Sequence, residues 1–154
     1  MINAGPMIIV TCGANTSLAI ENNTFSSITI YGSFSLVTAS TSVTASPLSY
    51  SITGNTFKNI YTDSLFAITA NTGVISNNTF THIYTNTSTT KTTGLARMTF
   101  HSSAIFTNNI ITNSVIYYGY FASIISCTSV SFYNLELQNV TSLGFDLFYF
   151  ESNT

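Results

Sequence analysis

Residues 74–83 read Val-Ile-Ser-Asn-Asn-Thr-Phe-Thr-His-Ile, and the centre of this stretch, Asn-Asn-Thr-Phe at 77–80, recurs along the chain. It returns at 22–25, and as Gly-Asn-Thr-Phe at 54–57. Weaker copies lie at 106–111 and 132–137. A motif that returns in this way is the first feature to explain, because regular self-similarity indicates a repeat architecture.

The copies begin at residues 22, 54, 77, 108 and 134, so their spacing is 23 to 32 residues, which is typical of solenoids. Between them lie short runs rich in Val, Ile, Thr, Phe and Tyr, broken by Asn, Gly and Ser, as in strands. We therefore predict an all-β, right-handed parallel β-helix (β-solenoid) of about five to six coils, with three short strands per coil. An antiparallel sandwich or outer-membrane barrel is the alternative, but columns in the same phase at long period favour the solenoid.

Stacked coils about 4.8 Å apart place equivalent residues over one another. The motif phenylalanines are then predicted to form a core aromatic stack, Phe25, Phe57 and Phe80. The second asparagine of each copy is predicted to form a hydrogen-bonded ladder at one corner, as stacked amides do in cross-β structures: Asn23, Asn55, Asn78 and Asn109. His82 falls in a slot that other coils fill with Ser27, Asn59, Asn113 and Asn139, so we interpret it as a polar turn residue.

A second repeated column consists of an apolar, a hydroxyl and a small or apolar residue. It reads Val-Thr-Cys at 10–12, Val-Thr-Ala at 37–39, Ile-Thr-Ala at 68–70, Met-Thr-Phe at 98–100 and Ile-Ser-Cys at 125–127. In this alignment Cys12 and Cys127 share a core column four coils apart, about 19 Å, which excludes a disulfide between them. Both are interpreted as small buried residues.

The Asn-Asn-Thr-Phe motifs between short apolar strands resemble the repeats of the pectin-lyase-like superfamily of right-handed parallel β-helices. The likeness is to the repetitive, low-charge proteins on microbial and protist cell surfaces, and it covers nearly the whole chain. The resemblance implies a fold and leaves function open, since that superfamily includes polysaccharide lyases, hydrolases, adhesins and structural proteins.

Charged residues make up 5% of the 154-residue chain, against about 25% in ordinary soluble domains, and the net charge is −2. Three Lys plus Arg residues cannot form the basic surface that nucleic acid or an anionic membrane requires. No apolar run of about 18 residues exists, so we expect no membrane insertion. At 45% hydrophobic the chain is too apolar to be disordered.

Catalysis by this chain is not expected, and we predict no catalytic residue, metal or cofactor. Its five acids are Glu21, Asp63, Glu136, Asp146 and Glu151, and no two fall on equivalent positions of adjacent coils, whereas glycoside hydrolysis needs a carboxylate pair. His82 and His101 lack Cys, His or acidic neighbours at metal-ligand spacing.

Five Asn-X-Ser/Thr sequons are candidate N-glycosylation sites: Asn86, Asn77, Asn22, Asn15 and Asn139. A chain so rich in Ser, Thr and Asn also produces sequons by chance, so position sorts them. Asn86 is expected in an exposed loop, Asn22 and Asn77 should point outward beside the ladder, and the other two are expected in turns. Covalent glycans would keep a protein of such low charge in solution.

The repeat pattern runs to both ends, so we expect residues 1–154 to be one β-helix domain, either a filament protomer or a segment of a longer solenoid. The expected function is that of an extracellular or cell-surface structural glycoprotein that forms a rigid rod by coil stacking, with end-to-end self-association or further coils of the same parent chain as partner. The alternative is a carbohydrate-binding or adhesive module, and a degenerate polysaccharide lyase or hydrolase is the third. A sugar-binding platform would use the densest aromatic patch, although core or inter-coil stacking is the role that we expect for it: Tyr117, Tyr118 and Tyr120.

Overall fold

The structure is a computed structural model, and it describes residues 8–12, 16–30, 35–41, 48–86, 94–99, 102–117, 120–143 and 148–151. Within these ranges the chain forms sixteen short strands. Their bounds are β1 (Ile8–Cys12), β2 (Thr16–Glu21), β3 (Thr24–Thr29), β4 (Ser35–Thr41), β5 (Leu48–Thr53), β6 (Thr56–Thr62), β7 (Ser64–Thr69), β8 (Thr72–Ser76), β9 (Thr79–Asn86), β10 (Gly94–Thr99), β11 (Ser103–Thr107), β12 (Ile110–Tyr117), β13 (Tyr120–Ile125), β14 (Ser129–Tyr133), β15 (Glu136–Leu143) and β16 (Phe148–Glu151).

Every third strand belongs to the same sheet, and all strand pairs are parallel. Sheet A has the order β1-β4-β7-β10-β13-β16, sheet B runs β14-β11-β8-β5-β2, and sheet C runs β15-β12-β9-β6-β3. Three consecutive strands make one coil, and neighbouring coils are hydrogen-bonded to each other in all three sheets. The prediction of an all-β parallel β-solenoid with three strands per coil is confirmed. Its right-handed winding stays a prediction, based on the strong preference of parallel crossovers for that hand.

The space between the three sheets is filled by one apolar residue set that repeats from coil to coil. In sheet C, Phe57 pairs in register with Phe80, and both are fully buried. In sheet B the equivalent column is Ile20, Ile52, Ile75, Phe106 and Phe132. Because each inward side chain covers its equivalent one coil away, the core is a stack of like on like along the solenoid axis.

Sheet A has a different register from the one that the apolar-hydroxyl column predicts. Val37 pairs with Ile8 rather than with Val10, and Val10 pairs with Ala39. Met98 pairs with Ile124 rather than with Ile125. The alignment was wrong because the connections into sheet A vary in length, so a short apolar-hydroxyl pattern can be matched at the wrong phase.

The cysteines therefore do not share a column. Cys12 pairs with Thr41 in sheet A, whereas Cys127 follows β13 at the corner that leads to sheet B. Cys127 is a free thiol that is half-buried and donates a hydrogen bond from Sγ to the carbonyl oxygen of Ser129 at 3.3 Å. Burial raises the pKa of the Cys127 thiol.

Two columns of left-handed residues shape every coil. The first stands at the corner between sheets B and C, immediately before the ladder position: Asn22, Gly54, Asn77, Asn108 and Asn134, with φ between 49° and 69°. The second lies inside the strands of sheet C: Ser27, Asn59, His82, Asn113 and Asn139, with φ between 50° and 57°. Asn, Gly and His tolerate this conformation better than most residues. His82 and Asn139, both predicted as turn residues, therefore lie inside strands, at a left-handed bend of the backbone.

A left-handed residue within a strand changes which side chains face the core. In β6, Phe57 points inward and Asn59 is left-handed, after which Ile60 and Thr62 are buried. Tyr61, between those two buried residues, therefore points outward. The same switch occurs in β9, where Phe80, Ile83 and Thr85 are buried and Tyr84 is exposed.

Gly73 makes room for an aromatic ring in the core of sheet B. It pairs in register with Tyr50, and a Cβ placed on Gly73 would lie 1.9 Å from Cζ of that tyrosine. Tyr50 is buried, and burial is the main reason that the pKa of its phenol is raised far above the usual value. The side-chain volume missing at residue 73 is thus supplied by the adjacent coil, in keeping with a close-packed core.

Candidate functional site

The asparagine corner is the most regular feature of the molecule. The Oδ1 atom of Asn78 accepts hydrogen bonds from the backbone N–H of Asn55 at 2.9 Å and from its Nδ2 at 3.1 Å. The Oδ1 atom of Asn109 accepts the same pair from Asn78, at 3.1 and 3.0 Å. Asn55 Oδ1 does so for Asn23, at 2.9 and 3.3 Å. The predicted four-residue ladder is confirmed.

The three buried ladder amides, Asn55, Asn78 and Asn109, also donate to a backbone carbonyl of the preceding coil. Asn78 Nδ2 donates to the carbonyl oxygen of Ile52 at 2.8 Å, and Asn55 Nδ2 donates to that of Ile20 at 2.7 Å. Asn55, Asn78 and Asn109 are each 1% exposed, so these groups have no water to replace a lost partner. The ladder therefore provides the hydrogen bonds that a sharp buried corner would otherwise lack.

The ladder has different ends. At the first coil, Asn23 is exposed and donates from Nδ2 to the carbonyl oxygen of Glu21 at 2.8 Å. In the other ladder members, Oδ1 accepts hydrogen bonds from the ladder asparagine of the preceding coil, and Asn23 Oδ1 occupies the equivalent position. At the fifth coil the position is Leu135, which packs against the core and carries no amide. The amide chain thus runs in one direction, and on its β1–β3 side Asn23 Oδ1 accepts no hydrogen bond from the described residues.

The motif phenylalanines form the predicted stack. The ring centroids of Phe25 and Phe57 are 5.0 Å apart with planes within 4°, and those of Phe57 and Phe80 are also 5.0 Å apart. Ile111 and Leu137 continue the column in register. A second stack in sheet B, between Phe106 and Phe132 at 4.8 Å, was not predicted. Its signal was present in the sequence, since each phenylalanine lies two residues before the asparagine of its repeat.

The outer face of sheet A carries a shallow groove of about 270 Å³. Its outward side chains are mainly hydroxyls, with Arg97 as the cation: Thr38, Ser40, Ala67, Thr69, Arg97 and Thr99. At the other end of the strands the outer face of sheet A is covered. Phe66 contacts the core phenylalanines, so its neighbour Leu65 lies on the outer face, and yet Leu65 is fully buried. The groove therefore occupies the half of the sheet near the carboxyl ends of the strands.

The outer face of sheet C displays tyrosines that sequence reasoning missed. Tyr61 and Tyr84 are register partners on adjacent coils, and Tyr84 pairs with Val115. Tyr117, one coil further, is exposed and pairs with Leu143. The signal for the first two was their identical offset from the motif, four residues after Phe57 and Phe80. That offset does not tell inward from outward unless the left-handed bend is known.

Of the predicted sugar platform, the structure describes Tyr117 and Tyr120, and these two do not form one exposed surface. Tyr117 is exposed on sheet C, but Tyr120 is only 5% exposed and its ring stacks on Tyr149 with centroids 4.9 Å apart. The face of Tyr120 is thus covered by protein, in the stacking role that the sequence left open. Tyr118 lies outside the described residues.

Three of the five sequons have described asparagine side chains, and all three are exposed: Asn22, Asn77 and Asn139. Asn139 Nδ2 donates to Asn113 Oδ1 at 3.1 Å. Asn86 is the last residue of β9 rather than a loop residue, and its side chain is outside the described part. Asn15 is likewise outside it.

The acids do not converge in the part of the chain that the structure describes. Glu21 accepts a hydrogen bond from Ser51 Oγ at 3.2 Å in the adjacent coil, and Asp63 is buried at the corner between β6 and β7, where desolvation raises the pKa of its carboxyl. Among the described residues, no group of three or more His, Cys, Asp or Glu side chains is arranged to hold a metal ion.

The described part of the chain also has no helix long and apolar enough to span a membrane. Comparisons of the chain with protein-family models, with curated proteins and with solved structures find no match. The chain is therefore identified by its architecture: it is a parallel β-solenoid whose corner between sheets B and C is closed by an axial asparagine ladder.

Proposed function

We propose that this chain is a non-catalytic structural protein, a rigid extracellular rod or filament built by coil stacking. The observation that supports this most is the continuity of its axial contacts. Hydrogen bonds of the ladder, from Asn23 to Asn109, and the phenylalanine stack run parallel to the axis through successive coils. Such contacts resist bending and shear of one coil over the next, because moving a coil breaks buried hydrogen bonds.

The first coil gives this proposal a direction of growth. Its inward residues Leu18, Phe25 and Ile28 are only half-buried, whereas Phe57 and Ile60 in the second coil are fully buried. Together with the open acceptor of Asn23, these residues form a surface that another coil would complete. The proposed partner is a second copy that associates end to end, or further coils of the same parent chain. Unpaired strand edges favour this kind of association.

We further propose membership of the pectin-lyase-like superfamily, in its low-charge cell-surface branch. Three parallel sheets and an asparagine corner support this assignment. The surface carries little charge, so the proposal includes N-linked glycans as the solubilising groups. Among the sequon asparagines whose side chains are described, all three are exposed and are candidates for these glycans: Asn22, Asn77 and Asn139.

Electron microscopy of the native material tests the rod. Five coils at about 4.8 Å each make about 24 Å of axial length per chain, so filaments should show an axial repeat of that order or a longer multiple. Dispersed, compact particles without a long axis at high protein concentration would contradict end-to-end assembly. If a much longer parent chain forms the rod by itself, the partner of the first coil is a further coil of the same chain and not a second copy.

Intact-mass measurement tests the glycans separately. The chain should be secreted from a glycosylating eukaryotic host and compared with the bare polypeptide mass of 16.7 kDa. A heavier product that returns to the bare mass on enzymatic removal of N-glycans is expected. A product at the bare mass would remove glycans from the proposal without affecting the rod.

A further inference from the structure

The outer face of sheet C has an aromatic surface with no role in the rod. We define the tyrosine face as Tyr61, Tyr84, Val115, Tyr117 and Leu143, which lie on four adjacent strands. Tyr84, Tyr117 and Leu143 are 36%, 39% and 43% exposed. Single exposed apolar residues are ordinary, but a contiguous patch on neighbouring strands usually marks a binding surface.

An amide column runs beside this face. Asn59, His82, Asn113 and Asn139 are the left-handed residues of the same strands, each two positions before the column of Tyr61 and Tyr84. The three asparagines are exposed, and Asn139 already donates to Asn113 across the coils. Each amide offers both donors and an acceptor, so the column can exchange hydrogen bonds with hydroxyl groups.

The two columns together suit one ligand chemistry. Aromatic rings pack on apolar C–H surface, and amides bind hydroxyls, which is the combination that a sugar ring presents. Neither column contains a charged residue when His82 is neutral, and the closest charge in sequence is Lys58, beside Asn59. We propose that the tyrosine face and its amide column bind an uncharged polysaccharide chain that lies along the solenoid axis.

The axial repeat specifies a polymer rather than a monosaccharide. The coils are about 4.8 Å apart along the axis, and each of the four strands adds at least one residue to the tyrosine face and one to the amide column, so consecutive units of a linear chain meet consecutive coils. Each unit adds a weak contact at high effective concentration, so affinity should rise steeply with chain length. This proposal does not depend on the rod, since the face lies on the side of the solenoid and not at its ends.

Affinity gel electrophoresis provides the test. The probes are three soluble neutral polysaccharides, mixed-linkage β-glucan, xyloglucan and galactomannan, with polygalacturonate as the charged comparison. Retardation by at least one neutral polymer is expected, with short oligosaccharides of the same polymer competing only weakly. No retardation by any neutral polymer, or retardation by polygalacturonate alone, would overturn the proposal.

Variants locate the site. Tyr84→Ala should weaken binding by about tenfold or more, because truncating an aromatic anchor is costly at an interface. Tyr133→Ala is the matched control, since Tyr133 is 56% exposed but lies on β14 of sheet B, and its binding should equal that of the wild type. Asn59→Gly preserves the left-handed backbone, φ 53°, and removes only the amide, so a several-fold loss is expected.

Three variant results would overturn the assignment. Equal losses from Tyr84→Ala and Tyr133→Ala would show that binding is not local to sheet C. Full binding by Asn59→Gly would remove the amide column from the site. Self-association without polysaccharide that Tyr84→Ala abolishes would identify the tyrosine face as a protein–protein contact instead.

Discussion

Replacing Asn78 with alanine removes the centre of the ladder while leaving the apolar core intact. The backbone N–H of Asn55 loses its acceptor, and the carbonyl oxygen of Ile52 loses its donor. The Nδ2 atom of Asn55 also loses one partner, but it keeps Ile20 O and Thr53 O. Two buried backbone groups are therefore left without the partner that the wild type provides.

The expected loss follows from these two groups. A buried donor or acceptor without a partner costs about 1–3 kcal/mol, so Asn78→Ala should lower the free energy of unfolding by about 2–6 kcal/mol. Domains of this kind are stable by about 5–15 kcal/mol, so the loss is a large fraction of the total. The variant should still fold at low temperature and show a clearly lower urea midpoint.

Asn23→Ala is the matched control, because it is the same substitution in the same motif at the exposed end of the ladder. Asn23→Ala removes the exposed donation to Glu21 O and the 3.3 Å donation to Asn55 Oδ1, but Asn55 Oδ1 keeps the backbone N–H of Asn23 as a donor. No buried backbone group loses its partner, so the substitution should cost about 1 kcal/mol or less. Urea unfolding followed by circular dichroism measures both variants. Similar losses for the two variants, or a loss below about 1 kcal/mol for Asn78→Ala, would refute the ladder as the source of corner stability.

Three further outcomes follow from buried groups. Gly73→Ala should destabilise the chain by about 1–3 kcal/mol through its clash with the Tyr50 ring, and Tyr50→Leu in the same chain should recover part of that loss in urea unfolding; no recovery would place the cause elsewhere. Because burial raises the pKa of Asp63, the native state binds a proton at this carboxyl more readily than the unfolded chain does, so Asp63 makes the free energy of unfolding fall as pH rises above the pKa of an unperturbed Asp, about 3.9. Asp63→Asn should therefore raise the urea midpoint more at pH 7 than at pH 3, and an equal change at both would contradict this. Because burial raises the pKa of Cys127, a thiol reagent at pH 7 should label the native protein much more slowly than the urea-unfolded protein; equal rates would refute it.

The ladder and the phenylalanine stack were predictable because both depend on identity between coils. When Asn78 and Phe80 repeat in the same phase as Asn55 and Phe57, parallel stacking places each over its equivalent, and no knowledge of the connections is needed. The same reasoning failed in sheet A. Val10 and Val37 look equivalent as isolated apolar residues, but the register of a strand depends on how much chain the preceding connection uses.

Sequence alone also misplaced the aromatic surface. It selected Tyr120 because it is close in sequence to Tyr117, whereas the fold buries Tyr120 against Tyr149. Tyr61 and Tyr84 are 23 residues apart in the chain and adjacent in space. A surface built across coils is a product of register, so a local search for dense aromatic residues cannot find it.

The sequence by itself therefore determined that this protein stacks like on like, with Asn78 at a buried corner and Phe80 in the core. Only the tertiary structure decided which residues face outward. Strict alternation from Phe57 would send Tyr61 inward, but the left-handed backbone at Asn59 reverses the pleat and buries Ile60 instead. The positive-φ residue inside each strand of sheet C thus converts a would-be core column into the exposed face of that sheet.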